Sequence, residues 1–164
     1  PSEVVAQDGR GGFQIQRRFF VLEKGSRREF NPADTKLKAG DLIYVELELA
    51  RRPPDPRRWR ESRYWLVEAP IPAGFQLIDQ DNEYLAAPYA LPLKEAAPTR
   101  REMGSDRVAF AFDFTRGWME RTGKVGFVMR AVYAGEFDAG VAKVVDFYDE
   151  AHRAHSSGAR LRVD

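Results

Sequence analysis

Asp149, His152 and His155 recur at three-residue intervals in "DEAHRAHSSG". On a helix the three would share a face, and imidazoles beside a carboxylate are zinc ligands. No fourth ligand accompanies them, and the surrounding Ser, Gly and charged residues equally fit a solvated turn. The chain has 2 histidines in all, both here, so imidazole acid–base chemistry has no other seat. Asp79, Asp81 and Glu83 in "DQDNEY" alternate as calcium ligands do, but the glycine and distal glutamate of an EF-hand loop are missing, which favours solvated loop carboxylates. "RRPPDPRRWRESR", Arg51–Arg63, combines arginines with Trp59, a pairing suited to an anionic polymer or, more plainly, to a solvated hairpin loop. Trp59, Trp65 and Trp118 could form a platform for a sugar; in an all-β chain tryptophans also serve as core. There is no GxSxG, no Gly-rich phosphate loop and no nucleophile–base pair. Neither a catalytic residue nor a cofactor is therefore expected, and no essential metal.

The bulk properties narrow the class further. Lys+Arg 26 against Asp+Glu 25 leaves no basic excess for a dedicated nucleic-acid binder, so nucleic acid is not expected as a partner. The absence of cysteine removes disulfides, thiolate zinc sites and cysteine nucleophiles without fixing the compartment. No run approaches the roughly 18 apolar residues of a membrane helix. A length of 164 residues fits one domain, residues 1–164, with a core large enough to need no staples. The start at "PSEVV", without Met or signal peptide, reads as a piece of a longer protein.

The elements that would position any site are strands. "GDLIYVELELA" opens on a Gly40-Asp41 turn and puts Ile43, Val45, Leu47 and Leu49 on one face, Tyr44, Glu46 and Glu48 on the other. "RVAFAFDFT" repeats the alternation with Val108, Phe110, Phe112 and Phe114. Further strands are expected over Phe13–Leu22, Tyr64–Glu68, Val125–Tyr133, Val141–Phe147 and Ala159–Val163, with room for one helical turn over Phe147–His155. About seven short strands separated by turns predict an all-β immunoglobulin-like sandwich of two antiparallel sheets, its core holding Ile43, Val45, Leu47, Val108, Phe110 and Phe112. Two stretches break the rhythm and read as loops: Arg51–Arg63, rich in proline, and Asp79–Ser105.

Four blocks in order carry a resemblance: "KLKAGDLIYVELELA", "YWLVEAPIPAGFQLI", "SDRVAFAFDFTRG" and "FVMRAVYAGEFDAGVAKVVDFYD". Together, from about Phe13 onward, the chain resembles the C-terminal macroglobulin-like domain of bacterial alpha-2-macroglobulins. In that family a Gly-Asp turn opens a strand, a Pro-Ala-Gly-Phe turn and an Asp-Arg-Val strand start follow, then an aromatic-x-x-Arg-Ala strand, a Gly-x-Phe turn and a Met-Tyr pair. Arg130 matches the strand arginine; a guanidinium on a packed strand needs carboxylate or carbonyl partners, which implies a structural role. Gly135–Phe137 matches the turn. Phe147 and Tyr148 stand in the place of the Met-Tyr pair, which in thioester-bearing members docks on the neighbouring thioester domain and shields its reactive bond. The residues by themselves also admit a simpler reading, with Phe147 in the core and Tyr148 at a strand end. Adjacent strand positions point to opposite faces, so Tyr148 is expected to be at least partly exposed, in or beside a loop over about Asp146–Ser157.

The resemblance implies a non-catalytic, monomeric module of a large periplasmic protein anchored to the inner membrane by a lipidated N-terminus. Its partners would be neighbouring domains of the same chain and, through the whole protein, host or competitor proteases. The chain departs from the family at Ala139-Gly140, where proline is usual, at Phe147, which replaces Met, and at Glu68-Ala69, where the acid stands farther from the turn. A second branch lacks the thioester; the Cys-x-Glu-Gln motif that would decide lies upstream. An adhesion or carbohydrate-binding sandwich is the alternative from another class, favoured if Trp59 or Trp118 forms an exposed flat platform.

Overall fold

The computed structural model describes residues 12–51, 64–78, 98–113 and 122–164. The regular elements among these residues are all strands: β1 (Phe13–Glu23), β2 (Ser26–Phe30), β3 (Lys36–Leu37), β4 (Leu42–Arg51), β5 (Tyr64–Pro70), β6 (Phe75–Ile78), β7 (Arg100–Met103), β8 (Arg107–Asp113), β9 (Thr122–Ala131), β10 (Gly135–Asp138), β11 (Lys143–Asp146), β12 (Arg153–His155) and β13 (Arg160–Val163). They form a five-stranded sheet in the order β2-β1-β4-β9-β6, a second of five in the order β12-β11-β5-β8-β7, and a three-stranded sheet, β10-β13-β3. Every pairing is antiparallel except β13 on β3, which runs parallel with Val163 opposite Leu37.

Alternation sets which side chains meet. The first sheet turns Phe13, Ile15 and Phe19 of β1, Ile43, Val45, Leu47 and Leu49 of β4, and Val125, Phe127 and Met129 of β9 inward. The second offers Trp65, Val67 and Ala69 of β5 and Val108, Phe110 and Phe112 of β8, and Leu161 and Val163 of β13 close the same cluster. The all-β sandwich and the six named core residues are therefore borne out. Trp65 belongs to this core, with its ring edge-on to Phe13 at 4.9 Å.

The opposite face of the first sheet is also covered. Phe20, Leu22, Tyr44 and Val128 form a smaller buried cluster there. Tyr44 lies directly over Gly126, and a Cβ on Gly126 would overlap its ring. Glu46, 2% exposed, is ringed by Arg27 at 3.3 Å, Lys124 at 3.6 Å and Arg18 at 4.0 Å. Three cations around one buried carboxylate meet the requirement that a buried charge be paired.

Several expectations are refined. All seven expected strands are present, and six short ones join them: β2, β3, β6, β7, β10 and β12. Two sheets become three, because β13 leaves the large sheets to pair β10 and β3. Gly135–Phe137 is no turn but most of β10, paired to β13 from Gly135–Val163 to Asp138–Arg160. Phe147–His155 contains no helical turn; it is the tip and return strand of the β11–β12 hairpin, so Asp149, His152 and His155 share no helix face. The expected loop Asp79–Ser105 ends in β7, a charged edge strand. Asp79, Asp81, Glu83, Phe114, Trp59, Trp118 and the core of the Arg51–Arg63 loop lie outside the described residues.

The strands give the sandwich two poles. Phe13 pairs with Arg51 at the end of β4, and Leu42 at its start pairs with Arg130. Ten strand residues separate these ends, about 30 Å. Val163 sits at the second pole, beside Gly135 and Leu37, so the chain enters β1 at one pole and leaves β13 at the other.

Candidate functional site

Phe147 and Tyr148 sit at the first pole, on the tip of the β11–β12 hairpin. The ladder of this hairpin runs from Lys143–His155 to Val145–Arg153, and β11 leans on β5 along its other edge. Asp146 ends β11 and is 3% exposed. Its Oδ1 accepts the Tyr148 N–H at 3.0 Å, an Asx-type bond that turns the chain out of the strand. The Asp146 N–H donates to His152 O and the Phe147 N–H to Tyr64 O, both at 2.9 Å. The His152 N–H closes the tip on Asp149 O, also at 2.9 Å. With the backbone so tied, the two side chains have nowhere inward to go. Phe147 is 63% and Tyr148 74% exposed. Their rings meet edge to face at 5.4 Å, and Tyr148 meets Tyr64 in the same way at 5.4 Å. Three aromatics thus form an ordered apolar ridge in water.

The exposure expected for Tyr148 is found, and the core reading of Phe147 is excluded: regular strand ends one residue earlier, so both rings leave the sandwich. Arg130 is corrected as well. It lies on the outer face of β9, exposed, between Leu42 and Gln76 in the ladder, and has no ion pair or side-chain hydrogen bond among the described residues. Inward positions on β9 are odd-numbered, Val125, Phe127 and Met129, so Arg130 points to the opposite face, and there it lies beyond the small cluster that buries Val128 and stays exposed, where its donors need no protein partner.

The buried arginine is Arg17, 6% exposed, on the core face of β1 between Ile15 and Phe19. Its Nη1 donates to Ala139 O at 2.8 Å, and its Nη2 to Gly140 O at 2.7 Å and Ser157 O at 3.1 Å. Burial pushes its pKa down to about 10, while the charge of Asp138 pulls it upward. The group stays charged at neutral pH. A lowered folded-state value means that the charge costs stability below about 10, a cost that fades as pH climbs above about 10. The signal that would have found Arg17 is in "FQIQRRFF": strict alternation places it inward.

Metal chemistry finds little support in this geometry. His152 Nδ1 stands 3.7 Å from Asp149, but His155 turns its Nδ1 to Ser156 O at 3.0 Å. Among the described residues no three His, Asp or Glu side chains converge as a metal site. A chelator is expected to leave the melting temperature unchanged, checked by scanning fluorimetry with and without EDTA; a drop of several degrees would contradict this.

The architecture and the aromatic hairpin can be set against known proteins. A family model described as the bacterial alpha-2-macroglobulin MG10 domain matches residues 12–150. The chain belongs to this family. No curated protein matches it. Native alpha-2-macroglobulin from Escherichia coli, spanning domain MG7 to the C-terminus, superposes with a TM-score of 0.69 at 19% identity, over 99% of this chain and 24% of that one. A mutant of Salmonella alpha-2-macroglobulin gives 0.66 at 21% identity, over 98% and 9%. Trypsin-activated alpha-2-macroglobulin from Escherichia coli gives 0.62 at 20%, over 98% and 10%. The chain thus spans about a quarter or less of each of these proteins, in which the MG10-like region is one part of a longer polypeptide.

Proposed function

We propose that this MG10 domain docks through Phe147 and Tyr148 on a neighbouring domain of a longer protease-trapping protein and so helps hold its uncleaved state. The observation that carries the reading is the ordered, exposed aromatic tip. Water-exposed aromatics fixed in place cost solvation and gain within the domain only their contacts with one another and with Tyr64, so a partner surface explains them. The role is mechanical rather than catalytic: docking energy enters as the difference between a docked and an undocked state, which proteolysis of a bait segment elsewhere would tip. Where the parent bears a thioester, that domain is the partner, and the aromatics exclude water from it. The activation by trypsin of the Escherichia coli relative supports a protease as the trigger. We assign the parent to the bacterial periplasm, held at the inner membrane by a lipidated N-terminus, where a trap would meet incoming proteases; membrane fractionation of cells making the parent checks this. The carbohydrate-binding alternative loses one of its three tryptophans, since Trp65 is core.

The decisive experiment is Tyr148→Ala, made both in this chain and in the parent. In this chain the melting temperature should hardly change, because the ring has no core contact to lose. In the parent the docked state should weaken by about 2 kcal/mol, roughly 30-fold, if Tyr148 is a hot spot. Small-angle scattering reads the loss as a more open domain arrangement, and thioester decay, where present, as a faster rate. Unfolding of the isolated chain with an unchanged parent would refute the docking role.

A further inference from the structure

We infer that Arg17 is the positioning residue of the docking hairpin, clamping both of its feet to the body of the sandwich so that the aromatic tip is presented in one orientation. The inference rests on the docking reading of Phe147 and Tyr148. None of the three carbonyls that Arg17 binds lies in the hairpin ladder. Ala139 and Gly140 precede β11, and Ser157 follows β12. These are the two places where the chain enters the hairpin and leaves it. One planar guanidinium, anchored on β1, spans both crossings.

The chemistry suits a clamp better than simple core filling. A guanidinium offers several donors in a fixed plane, so three carbonyls bound to it have their mutual spacing set. An aliphatic side chain would fill the same volume but hold no carbonyl. The feet are prepared for the grip. Gly140 adopts φ 53° and closes against Pro70, where a Cβ would sit 2.9 Å from the proline ring. Its N–H is taken by Asp138 Oδ1 at 2.7 Å. Ala142 and Ser156 then lock the two crossings together: the Ala142 N–H donates to Ser156 Oγ at 3.0 Å, and the Ser156 N–H to Ala142 O at 2.8 Å. From this lock to Phe147 the hairpin runs about 17 Å. Along the way β5 supports it at one edge, β1 packs against both of its strands through Val144 and Ala154, and β12 is the outer strand of its sheet. The feet fix where the hairpin starts and ends on β1, and so the seating from which the ridge is presented.

The test compares Arg17→Met and Arg17→Lys, in this chain and in the parent. Amide hydrogen exchange in Arg17→Met should accelerate at Ala142, Asp146, Phe147 and Ser156 by about tenfold or more, while Tyr44 and Phe127 stay within about twofold. Arg17→Lys, which keeps the charge and part of the grip, should fall between and keeps the test open if the Met variant fails to fold. In the parent, Arg17→Met should open the domain arrangement in the direction of Tyr148→Ala, and the double variant should show less than the sum of the two. Equal acceleration at all of these amides would make Arg17 an ordinary core residue and overturn the clamp, as would unchanged hairpin exchange in both variants. If Tyr148→Ala opens the parent while Arg17 variants leave the hairpin protected, docking stands and the clamp fails. If Arg17 variants free the hairpin and Tyr148→Ala leaves the parent closed, the clamp holds and the docking reading fails.

Discussion

Phe110→Ala is expected to lower the stability of the domain by about 3–5 kcal/mol. Phe110 has no exposed surface and stands in the middle of β8, opposite Val67 on β5 and Arg101 on β7. Its ring fills the space between the two large sheets, and neither sheet can collapse into the void without breaking its own ladder. The loss therefore combines the transfer energy of the ring with a cavity term. For a chain of this size each kcal/mol shifts the midpoint by about 2–4 °C, so the melting temperature should drop by about 6–20 °C. Urea unfolding followed by circular dichroism measures the free energy directly. Phe147→Ala is the internal control: the same side chain removed from the hairpin tip should cost almost nothing. A loss below about 1 kcal/mol for Phe110→Ala would mean that the sheets do not pack through this ring.

Gly126→Ala should be nearly as damaging, by about 3 kcal/mol, the upper end for overpacking. The new Cβ would occupy the place of the Tyr44 ring. Tyr44 has no exposed surface through which to swing away, and Phe20 packs against it at a centroid distance of 6.1 Å. The conflict is between two identified groups, so it can be isolated. In a double-mutant cycle, Gly126→Ala with Tyr44→Ala should be more stable than the two single losses summed, by about 1 kcal/mol or more. Strict additivity by urea titration would show that the two residues do not compete for one space.

The long strands were legible because each has one face against the core and alternates accordingly; β4 and β8 could be read residue by residue. The short strands escaped for the opposite reason. β7 is "RREM" and β2 begins "SRRE", edge segments whose exposed side chains carry no alternation, and only their backbone partners make them strands. β10 looked like a turn because Gly135 opens it and four residues are too few to show a period. At the site, the aromatic pair was visible from its resemblance and from the polar stretch behind it. Arg17 was not, although its parity announced it, because an arginine in a run of polar and aromatic residues is ordinarily assumed to face water. The same parity, applied to β9, would have sent Arg130 outward. The burial of Glu46 on the outer face depends on cations from β1, β2 and β9 converging there, which no single segment reveals.

The chain enters β1 at one pole and leaves β13 at the other, and this gives the domain a mechanical character. Tension applied across Phe13 and Val163 runs along the strands rather than across them. It loads the ladder between β1 and β4, nine residue pairs long, in shear, so many hydrogen bonds must yield together instead of opening one by one as a zipper does. At the far end, β13 is gripped on both sides, by β10 and β3. A body strung in this way lengthens little under load. A pull that enters through β1 would therefore find a stiff body, and extension would fall to the junction ahead of Phe13 before the ladder gives way.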